Sequence, residues 1–302
     1  MTIKLDKLRE TVTHQIIEML EKVDVNDYKP PFASLAAQGI PKNPITNHTY
    51  QGINILSLWF NQNSKGFSSN EWATFKQWKD KGGKVLKGEK GSRIVFYKTH
   101  IQKDKSIDKQ EQEHVIPILK SYIVFNANQV DGYQSPSEKE INTDDKVRPI
   151  EFVDQFCQHT GAVIRTGENR AYYSKKDDFI NMPKTSSFVD TPQADATENY
   201  YATLLHELIH WSGAKHRLDR FGSDQKYKIT DYAFEELIAE LGAAFLCSEF
   251  QITQTQPAHH AMYVKSWLKA LKNDNKHIFK AAAAASKATG YLEKLSSEVS
   301  LS

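Results

Sequence analysis

The chain of 302 residues is long enough for two domains, and its 39% hydrophobic and 25% charged residues are the balance expected of a soluble globular protein, not of a disordered or fibrous one. No apolar run approaches the roughly 20 residues that span a bilayer, and the mixed charges of residues 1–20 hold no signal-peptide core. Two distant cysteines, Cys157 and Cys247, exclude a disulfide framework and cysteine-based zinc fingers, so a cytoplasmic protein with no membrane partner is expected, and any metal site must use histidine and carboxylate.

The net charge of +2 is unevenly spread. Lys65–Lys105 holds eleven Lys/Arg against four Asp/Glu, whereas residues 136–302 hold 20 basic and 23 acidic residues. Charge alone leaves open whether the basic half meets an anionic partner or only solvent.

In chain order, apolar residues at Leu5, Leu8, Val12, Ile16, Met19 and Val23 predict an amphipathic helix, ended by the stretch Tyr28–Phe32. Ile53–Phe60 is a short apolar helix or strand, and Glu71–Lys79 reads as helical. Arg93–Lys98 and Ser121–Ala127 read as strands, joined through a polar stretch at 100–114 expected to be a hairpin tip or loop. The polar residues 135–149 form the candidate linker. Beyond it, residues 150–159 suggest a helix, and Ala162–Thr166 and Arg170–Ser174 suggest two short strands with Gly167 in the turn between them. Helices are expected over about 196–211, 232–250, 260–271 and 278–295. The fold class is therefore α+β: a mixed N-terminal domain over 1–134, a linker over 135–149, and a mainly helical C-terminal domain with a small sheet over 150–302.

The chemistry concentrates at His206-Glu207-Leu208-Ile209-His210. Histidines at i and i+4 lie one turn apart on one helix face, so both rings can reach one metal ion, and Glu207 can reach a water bound to it. Tyr201, Leu205, Leu208 and Ile209 fall on the opposite side, which lets that side enter a core while the histidines line a cleft. Two positions compete for the third ligand. His216, after Gly213, has metzincin spacing, but it sits in the basic run Lys215-His216-Arg217 and no Met-turn is apparent downstream. The rival is Glu236. In Glu235-Glu236-Leu237-Ile238-Ala239-Glu240 an apolar stripe leaves Glu236 and Glu240 on a face of small residues, suited to close approach by a second helix. Glu236 would then ligate zinc and Glu240 would hydrogen-bond a ligand histidine, with Glu235 in solvent. Such a site keeps a position for water, for which Glu207 serves as general base. Tyr172, Tyr173, Tyr227, Tyr232 and His259 are candidate oxyanion donors, and the strand at Arg170–Ser174 could bind a peptide by edge pairing.

These residues, with Tyr50-Gln51-Gly52-Ile53-Asn54, Trp72-Ala73-Thr74-Phe75-Lys76-Gln77, Gly82–Gly91, Val124–Gln129, Arg217-Leu218-Asp219-Arg220 and Glu235–Leu241, resemble antirestriction proteins of the ArdC type and the related N-terminal regions of TraC-type conjugative primases. The resemblance covers nearly the whole chain. It implies an N-terminal domain that binds single-stranded DNA, a C-terminal zincin-like metallopeptidase domain, and a role on mobile elements in shielding DNA from host restriction. Host restriction-modification proteins or another protein would be the peptidase's partner. It also implies that the position of His216 varies while Arg217 and Leu218 recur, which favours Glu236. The metal is expected to be one zinc ion per chain, with another divalent ion as the alternative. Lys76, Lys79, Lys84, Lys87, Lys90, Arg93 and Tyr97 are then the candidate DNA contacts, since single-strand binders pair basic grooves with aromatic faces. Trp72, Phe75 and Trp78 are expected in the core. The alternative function is a DNA-binding shield or decoy whose zinc domain is structural and cuts nothing.

Overall fold

A computed structural model of the chain describes residues 2–24, 30–103, 113–133, 148–221, 229–254 and 261–299. The first helix, α1 (Thr2–Glu21), follows the predicted periodicity, and its apolar stripe of Val12, Ile16 and Leu20 is fully buried. A short turn of helix, α2 (Ala33–Ala36), and a two-residue ladder of β1 (Lys42–Asn43) with β2 (His48–Thr49) lead into α3 (Ile53–Lys65), the apolar segment, which is a helix.

The stretch expected to be helical from Glu71 divides. It begins as β3 (Trp72–Thr74), and only then does Thr74 cap α4 (Phe75–Asp80): its hydroxyl accepts from Gln77 N, and Gln77 Oε1 accepts from Thr74 N at 3.0 Å. The late start separates the three aromatics. Trp72 and Trp78 are buried, but Phe75 is 56% exposed and not a core residue. After β4 (Lys84–Val85) come the long antiparallel pair β5 (Ser92–Lys103) and β6 (Glu113–Asn126), then β7 (Val130–Asp131), which pairs with β4. Strand order is β3-β6-β5. The middle of the expected tip, residues 104–112, lies outside the described residues.

Residues 135–147 of the candidate linker also lie outside them, and Arg148 and Pro149 open α5 (Arg148–His159). The strands β8 (Ile164–Thr166) and β9 (Tyr172–Ser174) are where predicted but are not a hairpin. Both flank β10 (Phe179–Met182), which pairs parallel with β8 and antiparallel with β9. Asn181 on that central strand donates to Arg170 O at 2.7 Å, tying the 167–171 connection across it. Then follow α6 (Ala196–Ser212), α7 (Ile229–Phe250), α8 (Ala261–Asn273) and α9 (His277–Val299). Among the described residues no helix is long and apolar enough to cross a membrane.

The largest apolar cluster takes Val12, Ile16, Leu56 and Trp59 from the first half and Leu205, Leu241, Phe245 and Ala285 from the second. Polar contacts cross the same boundary: Thr13 Oγ1 donates to Asn275 O at 3.2 Å and Ser248 Oγ to Ala36 O at 2.6 Å. Helix α7 is buried nearly all round, as befits a central helix. The alanine run of α9, with Ala281, Ala282, Ala285 and Ala288 buried, lets neighbouring backbones come close. Two smaller clusters, around Trp72 and Trp78, lie on opposite faces of the β3-β6-β5 sheet, since Trp72 and Ala73 are neighbours on β3.

Candidate metal centre

Helix α6 is fixed at its start by a capping box. Asp195 accepts from Thr197 N at 2.9 Å and Glu198 N at 2.8 Å, while Glu198 accepts from Asp195 N at 3.2 Å. Leu205, Leu208 and Ile209 anchor its apolar side without solvent exposure. Helix α7 crosses it where Gly242 meets Ile209: a Cβ on Gly242 would lie 2.7 Å from Ile209 Cδ1. That close approach brings the small-residue face of α7 to the histidines.

The Nε2 atoms of His206 and His210 stand 3.1 Å apart. Glu236 Oε2 is 3.6 Å from His206 Nε2, and Glu236 Oε1 is 3.4 Å from His210 Nε2. Donors held at about 2.0–2.1 Å around one tetrahedral ion are about 3.3–3.4 Å apart, so the set has the spacing that a cation requires. All three residues offer their ligand atoms within 4.8 Å of one another. Glu207 is buried and lines the same cleft. The structure leaves His216 elsewhere. Its Nε2 lies 3.3 Å from Asp178 Oδ2 and its side chain is 65% exposed.

Glu235 differs from its expected place in solvent. It is buried, with Oε1 3.3 Å from His210 Nδ1, and it takes hydrogen bonds from Arg220 Nε at 3.1 Å and Arg220 Nη2 at 2.7 Å. Arg220 also donates through Nη1 to Ser212 Oγ at 2.8 Å. An Arg220–Glu235–His210 chain therefore orients the second histidine, the outer support usual for a ligand imidazole. Glu240, expected in that part, is fully buried and accepts from Gln254 Nε2 at 3.0 Å. Burial disfavours charge on His210, but Glu236 and the hydrogen bonds to Glu235 and Glu236 outweigh it and raise its pKa to about 10. Burial likewise opposes ionisation of Glu236, and the two histidines hold it well below the usual carboxylate range.

The next arginine closes the other side. Arg217 Nη1 donates to Asp178 Oδ2 at 3.1 Å, Nη2 bonds Asp178 Oδ1 and reaches Tyr173 Oη at 3.1 Å, and the guanidinium lies 3.8 Å from the Trp211 ring centre. The β9–β10 turn is thereby latched to the end of α6. The Arg217 hydrogen bond lowers the Asp178 pKa to about 2, against the opposing effect of burial. A depressed carboxylate stabilises the fold above its unfolded pKa of about 4, and that contribution is lost as pH falls through 2. Asp178→Asn keeps a residue tolerant of the local φ of +50°. We expect it to cost about 1 kcal/mol at pH 7, discounted for exposure, with its melting curve converging on wild type near pH 2.

The cleft is small, about 110 Å³, and is walled by Tyr172 and Tyr173 of β9, by Lys175 and Phe221, and by Tyr232 and Tyr263. Burial, with Glu236 and Tyr263 close by, raises the Tyr232 phenol well above the usual tyrosine range. Tyr227 and His259 lie outside the described residues. Of the candidate DNA contacts, Lys76, Lys79, Lys84, Lys87 and Lys90 are exposed along α4, β4 and the following turn. Arg93 is half-buried and donates to Ser121 Oγ at 3.2 Å. The Tyr97 backbone pairs with Leu119, but its side chain lies outside the described residues.

Comparison with known proteins places this geometry. Residues 6–125 match the N-terminal domain of anti-restriction factor ArdC, and residues 151–284 match a zincin-like metallopeptidase family. A crystal structure of the antirestriction protein ArdC from plasmid R388, metal-free, superposes with a TM-score of 0.74 at 39% identity over 96% of this chain and 98% of that one. The chain belongs to the ArdC family. The Mn(II)-bound structure of the same R388 protein superposes at a TM-score of 0.73, with 37% identity over 95% of this chain and 97% of that one. The Sinorhizobium fredii protein y4eC is 35% identical to this ArdC relative over 96% of this chain and 92% of its own length. The DNA primase TraC of Escherichia coli is 36% identical over 92% of this chain, which spans only 26% of the primase.

Proposed function

We propose that this protein is an antirestriction factor of a mobile element that works in the cytoplasm, binds single-stranded DNA and hydrolyses peptide bonds at a zinc site held by His206, His210 and Glu236. The observation that carries the hydrolytic part is the convergence of those three donors beside Glu207 in a cleft bordered by an edge strand. A His2Glu donor set suits zinc in catalytic sites, and the Mn(II)-bound R388 structure supports a divalent ion in this family. The ion would supply Lewis-acid activation of a water, lowering its pKa toward about 7. Glu207, buried in the cleft beside the donors, would take a proton from the attacking water and return it to the departing amine. Tyr232, which lines the cleft, is the candidate to stabilise the developing oxyanion, since the Tyr173 hydroxyl already donates to Asp178 Oδ1 at 2.8 Å. Strand β9 pairs with β10 along one edge, which leaves its other edge to receive an extended peptide. DNA binding rests on the family and on the basic, aromatic N-terminal half.

Glu207→Gln separates this reading from a shield that only binds DNA. We expect it to keep the metal and the fold, to lower any peptidase rate by about 10²–10⁴-fold, and to lose protection of unmodified DNA entering a restricting host. Wild-type protection by Glu207→Gln at equal protein levels would overturn the hydrolytic part and leave the shield.

A further inference from the structure

A groove of about 1080 Å³ runs between the β5–β6 pair and helix α9, far larger than the metal cleft. That volume lies at the upper edge of the roughly 300–1,000 Å³ typical of ligand pockets, so the lining decides what the groove takes. One wall comes from the β5–β6 pair, and the other brings together α1 and the last helix. On one side Lys276, the residue before α9, and Lys280, Ala283 and Lys287 of α9 are exposed at spacings of four, three and four residues, one continuous face. Arg9 of α1 joins the same wall and lies over Phe279. On the other side stand Phe96 and Tyr122, 47% and 42% exposed, with ring centres 5.7 Å apart and planes at 77°. Lys120 is opposite Phe96 in the strand register and is exposed on that same face.

No aspartate or glutamate lines the groove among the described residues. Lys280 does reach Asp274 at 3.7 Å, but both side chains are exposed, and such pairs are weak enough for a phosphate to displace. The floor is rigid. Asn54 donates to Val95 O at 2.8 Å and accepts from Val95 N at 2.9 Å, and Gly52 N donates to Ser286 Oγ at 2.7 Å. Gly52 itself has a φ of +58° and faces α9 closely, with an added Cβ 3.8 Å from Ala283 Cα.

A cationic wall facing exposed aromatic rings, with no carboxylate between them, matches a flexible polyanion that carries flat apolar faces. We propose that single-stranded nucleic acid lies in this groove, with Lys276, Lys280 and Lys287 on its phosphates and Phe96 and Tyr122 stacked on its bases. The assignment rests on the DNA-binding part of the proposed function and relocates it. The strand would be gripped jointly by the N-terminal sheet and by the last helix, and Lys84, Lys87 and Lys90, which lie outside the groove, would be secondary.

The test uses the full chain and a fluorescently labelled oligothymidylate, with affinity followed against salt by anisotropy. Lys276→Ala/Lys280→Ala/Lys287→Ala should weaken binding about tenfold or more and flatten the log–log salt slope by about 2, at roughly 0.7 per phosphate contact. Phe96→Ala and Tyr122→Ala should each weaken binding about tenfold, and photo-crosslinking of iodouridine-substituted oligonucleotide should fall on Phe96 or Tyr122. All five positions are exposed, and circular dichroism checks that the variants fold. If wild type binds and the lysine variant binds equally well with the same slope, the groove assignment is overturned while DNA binding stands. If wild type fails to bind even at low salt, the DNA-binding part of the proposed function falls with it. Poly-glutamate competing as well as oligonucleotide would assign the groove to acidic peptides and also overturn the proposal.

Discussion

Glu236→Ala is expected to abolish stoichiometric divalent-metal binding, while His216→Ala leaves it intact. The expectation follows from where the two side chains stand. Glu236 offers oxygens 3.4 and 3.6 Å from the two ring nitrogens, whereas His216 spends its ring on Asp178 at the surface. Loss of an outer partner of a ligand typically weakens metal affinity 10–100-fold, so loss of a ligand itself should exceed that range. Metal analysis after dialysis should find about one ion per chain in wild type and His216→Ala, and little in Glu236→Ala. Glu236→Gln keeps the volume but removes the charge, and it separates ligation from packing. A Glu236→Ala protein that retains its ion, alongside a His216→Ala protein that loses it, would restore the metzincin spacing and discard the present donor set.

Much of this centre is legible in the amino-acid sequence, because its parts are local. The i, i+4 histidines and their apolar backing are properties of one helix, and the small-residue face carrying Glu236 is a property of another. The pairings between segments are not legible in the same way. On a helical wheel Glu235 sits about 100° from Glu236, which suggests solvent when α7 is considered alone. Its partner Arg220 lies in an irregular stretch that no periodicity orients, so only the folded chain shows that both carboxylates serve the histidines, from opposite sides of His210. Strand β10 escapes the sequence for a related reason. Four residues, Phe179 to Met182, with three in a row buried show no alternation, and they matter because two flanking strands meet on them. Trp72, Phe75 and Trp78 illustrate the reverse error: correct helical spacing, annulled by a cap at Thr74 that starts the helix after the first of them. The groove is illegible for the simplest reason, since the lysines of one wall stand more than 150 residues in sequence from Phe96 and Tyr122 on the other.

The crossing of α6 and α7 gives the second large effect. Gly242→Val should destabilise the fold by about 2–3 kcal/mol and weaken metal binding at the same time. Glycine in a helix interior ordinarily costs about 1 kcal/mol relative to alanine, so its presence here calls for a packing reason. The reason is Ile209: a Cβ at position 242 would meet its Cδ1 at 2.7 Å, its Cγ1 at 2.8 Å and its Cγ2 at 3.1 Å. A lone Cβ already meets the γ carbons of a stiff β-branched side chain and not only its tip, so Gly242→Ala should also destabilise, but by less than valine, about 1 kcal/mol. Valine adds two more carbons in a packed layer, and overpacking of that kind costs about 1–3 kcal/mol or more. The strain relaxes by parting the helices. Because Gly242 lies only about 9 Å along α7 from Glu236, parting them moves the carboxylate off the histidines of α6. The size swap tests this directly. Ile209→Ala removes the three carbons that an added Cβ would meet, matching the three that valine adds, so the double variant Ile209→Ala/Gly242→Val should recover stability and metal affinity together, with a favourable coupling of about 0.5–3 kcal/mol in the double-mutant cycle. Additive losses, or recovered stability without recovered affinity, would mean that the crossing distance does not set the geometry of the centre.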